Sequence, residues 1–156
     1  MSLCDLSRRP LRTIEPSCTI REAAREMLEH SVGALVVTDA SGTTPLHIVT
    51  DRDLVIMIGE GLDPDEATVA CLAHKPLQTI EVGASLSDAA HRMRESGVRR
   101  LPIVDAERRL VGIVSLDDIL VALGRELSDV EKAIRSEIAH ERETAYIRER
   151  LARSSR

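Results

Sequence analysis

The sequence predicts an α/β (α+β) protein made of two copies of one βαββα unit, followed by a C-terminal amphipathic helix. The first observation is a self-match, because a shift of 66 residues gives twelve identities over the 31 positions from 9 to 39. Second, each copy passes from a helical apolar pattern to two short apolar runs. Third, the chain after Arg125 is highly charged and has apolar residues at helical spacing.

Each copy begins with a short strand, predicted at 11–14 and 77–80, and continues into a helix. Thr19 and Ser85 are the predicted N-caps of these helices, because an acidic residue stands three positions after each. The spacing predicts a buried face on each helix, formed in the first copy by Ile20, Ala23, Ala24, Met27 and Leu28, and in the second by Leu86, Ala89, Ala90 and Met93.

Two apolar runs then predict a β-hairpin in each copy, at 34–37 with 46–49 and at 101–104 with 110–114. The first copy has one extra residue in its turn, which costs little in a surface loop. A closing helix is predicted to open at Thr50 in the first copy and at Ser115 in the second.

The predicted domains are residues 1–62 and 63–124, with a separate charged helix and frayed tail at 125–156. Gly59, Gly61 and Pro64 mark the connection between the copies. The C-terminal helix is predicted to run to about residue 151 and to fray at 154–156. Its apolar stripe is predicted to pack on its own domain pair or on a second subunit, or else to dock an effector protein; it consists of Leu127, Val130, Ile134 and Ile138.

The composition narrows the class of protein. The chain has no Trp or Phe and one Tyr, so its core is aliphatic and a ligand would be bound without aromatic stacking. A net charge of -5 argues against general nucleic-acid binding, because phosphate backbones are bound mainly by clustered Lys and Arg. The three cysteines suggest neither a disulfide framework nor a zinc site, and no apolar run is long enough for a membrane helix. These features predict a soluble, cytoplasmic protein.

The duplicated unit resembles the cystathionine-β-synthase (CBS) domain, through residues 32–39 and 48–54 of the first copy and 98–105 and 110–115 of the second. The resemblance implies a pair related by pseudo-twofold symmetry, with two clefts that bind AMP, ADP, ATP, S-adenosylmethionine or NADH. It also implies a homodimer that regulates a partner and is not an enzyme. The sequence departs from the family at His47, where Gly112 of the second copy has the usual small residue, and the larger side chain is expected to reshape the first cleft.

A Ser/Thr-x-x-Asp motif opens both closing helices, as Thr50 to Asp53 and as Ser115 to Asp118. The carboxylate can accept hydrogen bonds from both hydroxyls of a ribose, while the hydroxyl and the free N–H groups of the first helical turn can face a phosphate. The alternative is that the motif only caps its helix. We favour binding, because the reciprocal capping contact prefers the longer Glu or Gln and because the motif is repeated within a fold that resembles the CBS domain.

Three arginines are predicted to meet phosphate groups, namely Arg52, Arg99 and Arg100, with Arg99 the weakest candidate because neighbours on a strand point to opposite faces. Val36 and Pro102 are expected to support the adenine. Gly33 permits a close approach to the ligand or serves the turn after the first helix. Since Asp117 adds negative charge beside Asp118 and Arg52 offsets Asp53, the Thr50/Asp53 cleft is expected to favour the more phosphorylated ligand.

Enzymatic function is not predicted, because no nucleophile and base stand out, no P-loop follows the glycines at 59–61, and the five histidines lack metal-ligand spacing. No catalytic cofactor or metal is expected. The sequence therefore predicts a regulatory sensor that binds an adenosine nucleotide and signals its occupancy to a partner. The alternative is a ligand-free scaffold that dimerises or acts through its C-terminal helix.

Overall fold

The computed structural model describes residues 3–6, 11–72 and 76–154. Residues 9–10, at the start of the repeat match, and residues 155–156 of the predicted frayed end lie outside this part of the chain. The elements follow in the order α1 (Leu3–Leu6), β1 (Thr13–Ile14), α2 (Ile20–Glu29), β2 (Ala34–Thr38), β3 (Pro45–Thr50), α3 (Asp51–Gly59), a 3-10 helix (Val69–Leu72), β4 (Ile80–Glu81), α4 (Leu86–Ser96), β5 (Arg100–Val104), β6 (Leu110–Ser115) and α5 (Leu116–Ser154).

The predicted fold class is confirmed, because both copies fold into a three-stranded sheet with the same topology. β1 and β4 run parallel to β2 and β5, and each hairpin is antiparallel. Both hairpins have a register shift at the repeat-equivalent position, after Val37 and after Ile103. The shift leaves one residue of each partner strand unpaired, Leu46 in β3 and Val111 in β6, and both are exposed.

Two prolines explain why the first strand lies one repeat position later in the second copy. The amide of Val36 donates a 3.0 Å hydrogen bond to the β1 segment, but its counterpart in β5 is Pro102, which has no N–H. At the other end, the amide of Val82 donates a 2.9 Å hydrogen bond to β5, and its counterpart is Pro16. Each proline removes one rung of the parallel ladder, at opposite ends in the two copies.

The turns of both hairpins are organised by one aspartate, Asp39 in the first copy and Asp105 in the second. Asp39 accepts hydrogen bonds from the Ser41 hydroxyl at 2.7 Å and from the Thr44 amide at 3.1 Å, and these bonds lower its pKa to about 2. Asp105 accepts from the amide of Arg109 at 2.7 Å. This shared role gives a structural reason for the Asp39–Asp105 identity in the repeat match.

The core of the first copy lies between the sheet and its helices. Leu35 and Val37 of β2 pack there with Ile20, Ala23 and Met27 of α2. The predicted buried face of α2 is too wide, because Leu28 is 82% exposed and Ala24 is also exposed. A helix that covers one small sheet buries a narrow stripe, and Leu28 lies at the edge of the predicted one.

Two short helices extend the repeat, since α1 and the 3-10 helix also lie 66 residues apart. Each precedes one copy but packs on the other. α1 contacts β6 of the second copy, whereas Val69 of the 3-10 helix is fully buried in the core of the first. The amide of Val69 also donates a 2.9 Å hydrogen bond to the carbonyl of Cys18. The two copies are therefore linked by an exchange of segments.

The closing helix of the second copy and the C-terminal helix are one continuous 39-residue helix, α5. The predicted C-terminal helix is confirmed, and it continues from the closing helix without a break, because Gly124 costs only about 1 kcal/mol in a helix and no proline follows it. The division at 124 falls within α5, and the predicted domain limits stay a prediction. None of the helices described in the structure is long and apolar enough to cross a membrane.

Candidate functional site

A cleft lies between the two copies, on the face of β2 that is turned away from its own core. Because Leu35 and Val37 pack into that core, the alternating residues Ala34 and Val36 face the second copy. The cleft is open to solvent, and its empty space is about 540 Å³ when that open mouth is included. Its lining consists of Leu6, Leu11, Arg12, Val32, Gly33, Ala34, Val36, Arg100, Ile113, Ser115 and Asp118.

The Ser115/Asp118 motif lies in this cleft at the start of α5. Oδ2 of Asp118 accepts a hydrogen bond from the Ser115 hydroxyl and a 2.9 Å bond from the Ser115 amide. The amide of Asp118 donates in return to Oγ of Ser115 at 3.2 Å. The argument that aspartate is too short for reciprocal capping is therefore wrong, because the carboxylate reaches back to the N-cap amide.

The Thr50/Asp53 motif has the same geometry at the start of α3, with Oδ2 of Asp53 2.8 Å from the Thr50 amide and 2.6 Å from its hydroxyl. In both motifs the hydrogen bonds use one carboxylate oxygen, and Oδ1 makes no hydrogen bond to another described residue. Capping and ligand binding are thus compatible, because one oxygen caps the helix and the other can accept from a ligand. Thr50 and Asp53 do not line the cleft described above.

Gly33 brings the backbone of the first copy close to the second. A Cβ atom at this position would lie 3.4 Å from Nη2 of Arg100 and 3.3 Å from Oδ2 of Asp51. The left-handed position in the turn after α2 is Ser31, with φ 52°, so the turn does not require a glycine at residue 33. The role in the turn is therefore not supported, and the predicted close approach to a ligand stays a prediction.

The three predicted arginines lie in different surroundings. Arg100 pairs with Ser115 across the β5–β6 ladder and lines the cleft. Arg99 points away and its side chain is 73% exposed, with Nη2 3.5 Å from Oδ1 of Asp117. Arg52 is exposed in the first turn of α3 and outside the cleft lining. Only Arg100 is therefore placed beside the motif of the described cleft.

Of the two residues predicted to contact the adenine, only one lines the cleft. Val36 lines the cleft and is 1% exposed, whereas Pro102 is buried and outside the lining. His47 pairs with Val37 in the β2–β3 register, so it shares the core-side face of the sheet with Val37. The prediction that His47 reshapes the first cleft is therefore not supported, because alternation turns it away from the inter-copy face.

Arg12 is a cleft residue that the sequence analysis missed. It precedes β1, and its Nε atom is the buried side-chain nitrogen that has no hydrogen-bond partner among the described residues. Its counterpart in the second copy is Gln78, so the repeat match itself marked a cation that only one copy has. The sequence alone does not indicate that Arg12, just ahead of β1, lies in the cleft between the copies.

One group of possible metal ligands also escaped the sequence analysis. Glu26, Glu29 and His30 at the end of α2 have ligand atoms within 4.8 Å of one another. Nε2 of His30 lies 3.3 Å from a Glu26 carboxylate oxygen, which gives the group an internal ion pair when His30 is protonated. None of the three lines the cleft.

The chain belongs to the CBS domain family, whose model matches residues 3–60 and 69–125. An uncharacterized protein of Methanopyrus kandleri is 37% identical over 121 residues, which are 77% of this chain and 61% of that protein. The chain thus spans less than two thirds of this relative. Hypoxic response protein 1 of Mycobacterium tuberculosis is 41% identical over 103 residues, 65% of this chain and 70% of the relative.

Solved structures of CBS proteins share the fold. The CBS domain protein PAE2072 of Pyrobaculum aerophilum, in complex with AMP, has a TM-score of 0.70 and 26% identity, covering 80% of this chain and 99% of that one. Hypoxic Response Protein I, with two coordinated zinc ions, has a TM-score of 0.67 and 31% identity, covering 78% and 98%. The chain is accordingly similar to CBS pairs over both of its repeats.

Proposed function

We propose that this CBS pair is a non-catalytic regulatory module that binds an adenosine nucleotide in the cleft between its repeats. The observation that carries the proposal is the Ser115/Asp118 motif, which lies in a cleft that also has aliphatic residues in its lining and whose carboxylate has one oxygen without a hydrogen bond to another described residue. That oxygen can accept from a ribose hydroxyl, and the aliphatic surface of Val32, Val36 and Ile113 can cover an adenine. The AMP complex of PAE2072 supports this choice of ligand.

Occupancy would be signalled by a change in the arrangement of the two repeats, because the cleft is lined by both. A ligand shifts such an equilibrium only by its difference in affinity for the two arrangements. The exchanged segment α1 contributes Leu6 to the lining, so a ligand would touch an element that joins the copies. A cytoplasmic location is part of the proposal, and it rests on the sequence features given above, chiefly the lack of a disulfide framework.

The proposal is tested by calorimetry of the purified chain against AMP, ADP, ATP, S-adenosylmethionine and NADH. We expect saturable binding of at least one ligand and a higher melting temperature in its presence, because a ligand that binds only the folded state stabilises it. An enzyme assay for consumption of the bound ligand accompanies the titration, and turnover would contradict the non-catalytic role. Absence of heat and of thermal shift for every ligand would reject the binding function.

A ligand-free scaffold is the second candidate, and one observation favours it. The predicted caps at Thr19 and Ser85 and the motifs at Thr50 and Ser115 all complete reciprocal capping hydrogen bonds within the chain. The motifs therefore have a structural role in any case. The calorimetric panel separates the two functions, since a scaffold leaves every ligand unbound.

We also propose that the chain forms a homodimer in which α5 pairs with α5 of a second copy. Its apolar stripe is exposed, with Leu127 at 70%, Val130 at 58% and Ile134 at 52%. Residues 117–131 carry five carboxylates and one arginine, whereas residues 132–156 carry seven basic side chains and four carboxylates. Antiparallel pairing sets the acidic part of one helix against the more basic part of the other, so opposite charges flank the stripe.

Replacing one residue of the stripe by a charge should weaken this association. We expect Ile134→Lys to raise the dimer dissociation constant at least about 10-fold, because a lysine would have to be desolvated in the apolar seam. Sedimentation velocity over a concentration series measures the change. Ser136→Lys is the matched control, since Ser136 is exposed on the opposite side of the same turn. A wild-type chain that stays monomeric, or equal effects of the two variants, would contradict the pairing.

A further inference from the structure

The end of α2 brings together three side chains that can bind a metal ion. Glu26 and Glu29 lie in its last turn and His30 is its C-cap, so the i, i+3 and i, i+4 spacings place them on one side of the helix. One ligand atom from each lies within 4.8 Å of the other two. Among the residues that the structure describes, this is the one group of three such side chains arranged to hold an ion.

The distance within the cluster fits tetrahedral coordination. Nε2 of His30 lies 3.3 Å from Oε2 of Glu26. Zinc binds imidazole nitrogen and carboxylate oxygen at about 2.0–2.2 Å, and the tetrahedral angle then sets two such ligand atoms about 3.3–3.5 Å apart. An ion therefore fits between these two atoms as they stand. The same distance suits an ion pair between a protonated His30 and Glu26, so the surroundings of the pair decide between the two.

The surroundings of the cluster favour a divalent cation. Glu26 pairs only with His30, and Glu29 forms no ion pair with any lysine or arginine that the structure describes. No basic residue lies in the last turn of α2, and the C-terminal end of a helix carries partial negative charge. A protonated His30 would neutralise one of the two carboxylates and leave the second without a counterion. A divalent ion compensates both.

The imidazole of His30 is positioned before an ion arrives. Its side chain is only 26% exposed, compared with 44% for Glu26. The backbone amide of His30 donates a 3.2 Å hydrogen bond to the carbonyl of Glu26, which closes the last turn of α2. A ligand group that is already held in place loses less conformational freedom on binding. The part of the ring that stays exposed gives an ion access from solvent.

The second copy lacks this arrangement at the equivalent positions. On the shift of 66 residues, the three ligand positions become Arg92, Glu95 and Ser96. α4 does have a histidine–glutamate pair, with Nε2 of His91 3.0 Å from Oε1 of Glu95. That pair lies beside an arginine, because Nη2 of Arg94 is 3.0 Å from Nδ1 of His91, and a neighbouring cation repels a metal ion. The second copy thus provides a control pair that should not bind zinc.

We infer that Glu26, Glu29 and His30 form a binding site for a divalent transition-metal ion of the zinc class. Imidazole nitrogen together with carboxylate oxygen suits zinc, whereas magnesium and calcium prefer sites made of oxygen alone. The sequence expectation of no metal rested on the spacing of the histidines, but two of these three ligands are glutamates. None of the three lines the inter-repeat cleft, so the site is independent of nucleotide binding. The bound ion joins the C-cap to the last turn of α2 and stabilises the folded chain.

The test is calorimetry of the metal-free chain with zinc chloride, without nucleotide, on wild type, His30→Ser and His91→Ser. His30→Ser installs the residue of the second copy, and His91→Ser makes the same chemical change in the control pair. We expect His30→Ser to bind zinc at least about 10-fold more weakly than wild type, since even the outer partners of metal ligands contribute that much. His91→Ser should bind zinc as wild type does. Magnesium at the same concentration should not displace the zinc.

Two further readouts separate this site from the cysteines and from effects on folding. Cobalt(II) in place of zinc should give the visible absorption of a tetrahedral ion without a thiolate-to-cobalt charge-transfer band. Zinc should raise the melting temperature of wild type and of His91→Ser but not of His30→Ser. Glu29→Gln removes a ligand whose side chain is exposed, so it should weaken zinc binding and leave the metal-free melting temperature unchanged.

Four results would overturn the metal site. They are no zinc binding by wild type, equal losses in His30→Ser and His91→Ser, a thiolate band with cobalt, and displacement of zinc by magnesium. All of them leave the proposed nucleotide function standing, because that function is tested with different ligands on a different part of the chain.

Discussion

Asp118→Ala is expected to lower the affinity for AMP by at least about 100-fold. Oδ1 of Asp118 has two lone pairs and is proposed to accept from both hydroxyls of the ribose, and each hydrogen bond to a charged group contributes about 1.5–3 kcal/mol. Two such bonds correspond to more than two orders of magnitude in the dissociation constant. Calorimetric titration of the variant with AMP measures this loss directly.

Asp88→Ala is the matched control for this variant. Asp88 forms the same reciprocal cap with Ser85 at the start of α4, where Oδ2 is 2.9 Å from the Ser85 amide and 2.7 Å from its hydroxyl. These bonds from Ser85 hold the pKa of Asp88 below its usual range. Asp88 does not line the inter-repeat cleft. Both variants should lower the melting temperature similarly, but only Asp118→Ala should affect AMP. If the control weakens AMP binding equally, the loss reflects capping and the ribose role of Asp118 is wrong.

Leu35→Ala is expected to lower the free energy of unfolding by about 2–5 kcal/mol, the range observed when a large core side chain is cut back to alanine. Leu35 is fully buried in the core of the first copy, so the truncation both loses apolar burial and leaves a cavity. Urea unfolding followed by circular dichroism gives the difference from wild type.

Leu28→Ala provides the comparison, because it makes the same chemical change on a side chain that is 82% exposed. Its effect should stay within about 0.5 kcal/mol of zero. A cost for Leu28→Ala as large as that of Leu35→Ala would mean that α2 is rotated from the described position. That result would support the wider buried face, including Leu28, that the helical spacing predicts for α2.

Much of the fold could be predicted because the repeat fixes two copies of one pattern and each element has a local signal. The caps at Thr19 and Ser85 and both hairpins follow from short-range spacing. The same reasoning failed for Leu28, since periodicity gives the direction of a buried face but not its width. Local spacing also did not indicate that α5 continues through Gly124, because a glycine weakens a helix without ending it.

The candidate site was predicted only where a motif carried the signal. Ser115 and Asp118 belong to a recognisable pattern, and Gly33, Val36 and Arg100 flank the strands that resemble the family. Arg12 had no motif, and its position in the cleft depends on how the two sheets face each other. Such long-range placement is not encoded in local spacing. The difference between Arg12 and Gln78 was visible in the repeat match, but its meaning required the fold.

The exchange of short segments between the copies limits how this chain can be divided. A fragment that ends at residue 62 would lack Val69, which fills the core of the first copy, and would expose the apolar pocket beneath it. The second copy would likewise lose the contact of α1 with β6. Each half thus supplies a short helix that packs on the other half. We therefore expect either half alone to be less stable than the pair, because each would expose apolar surface that a segment of the other half covers.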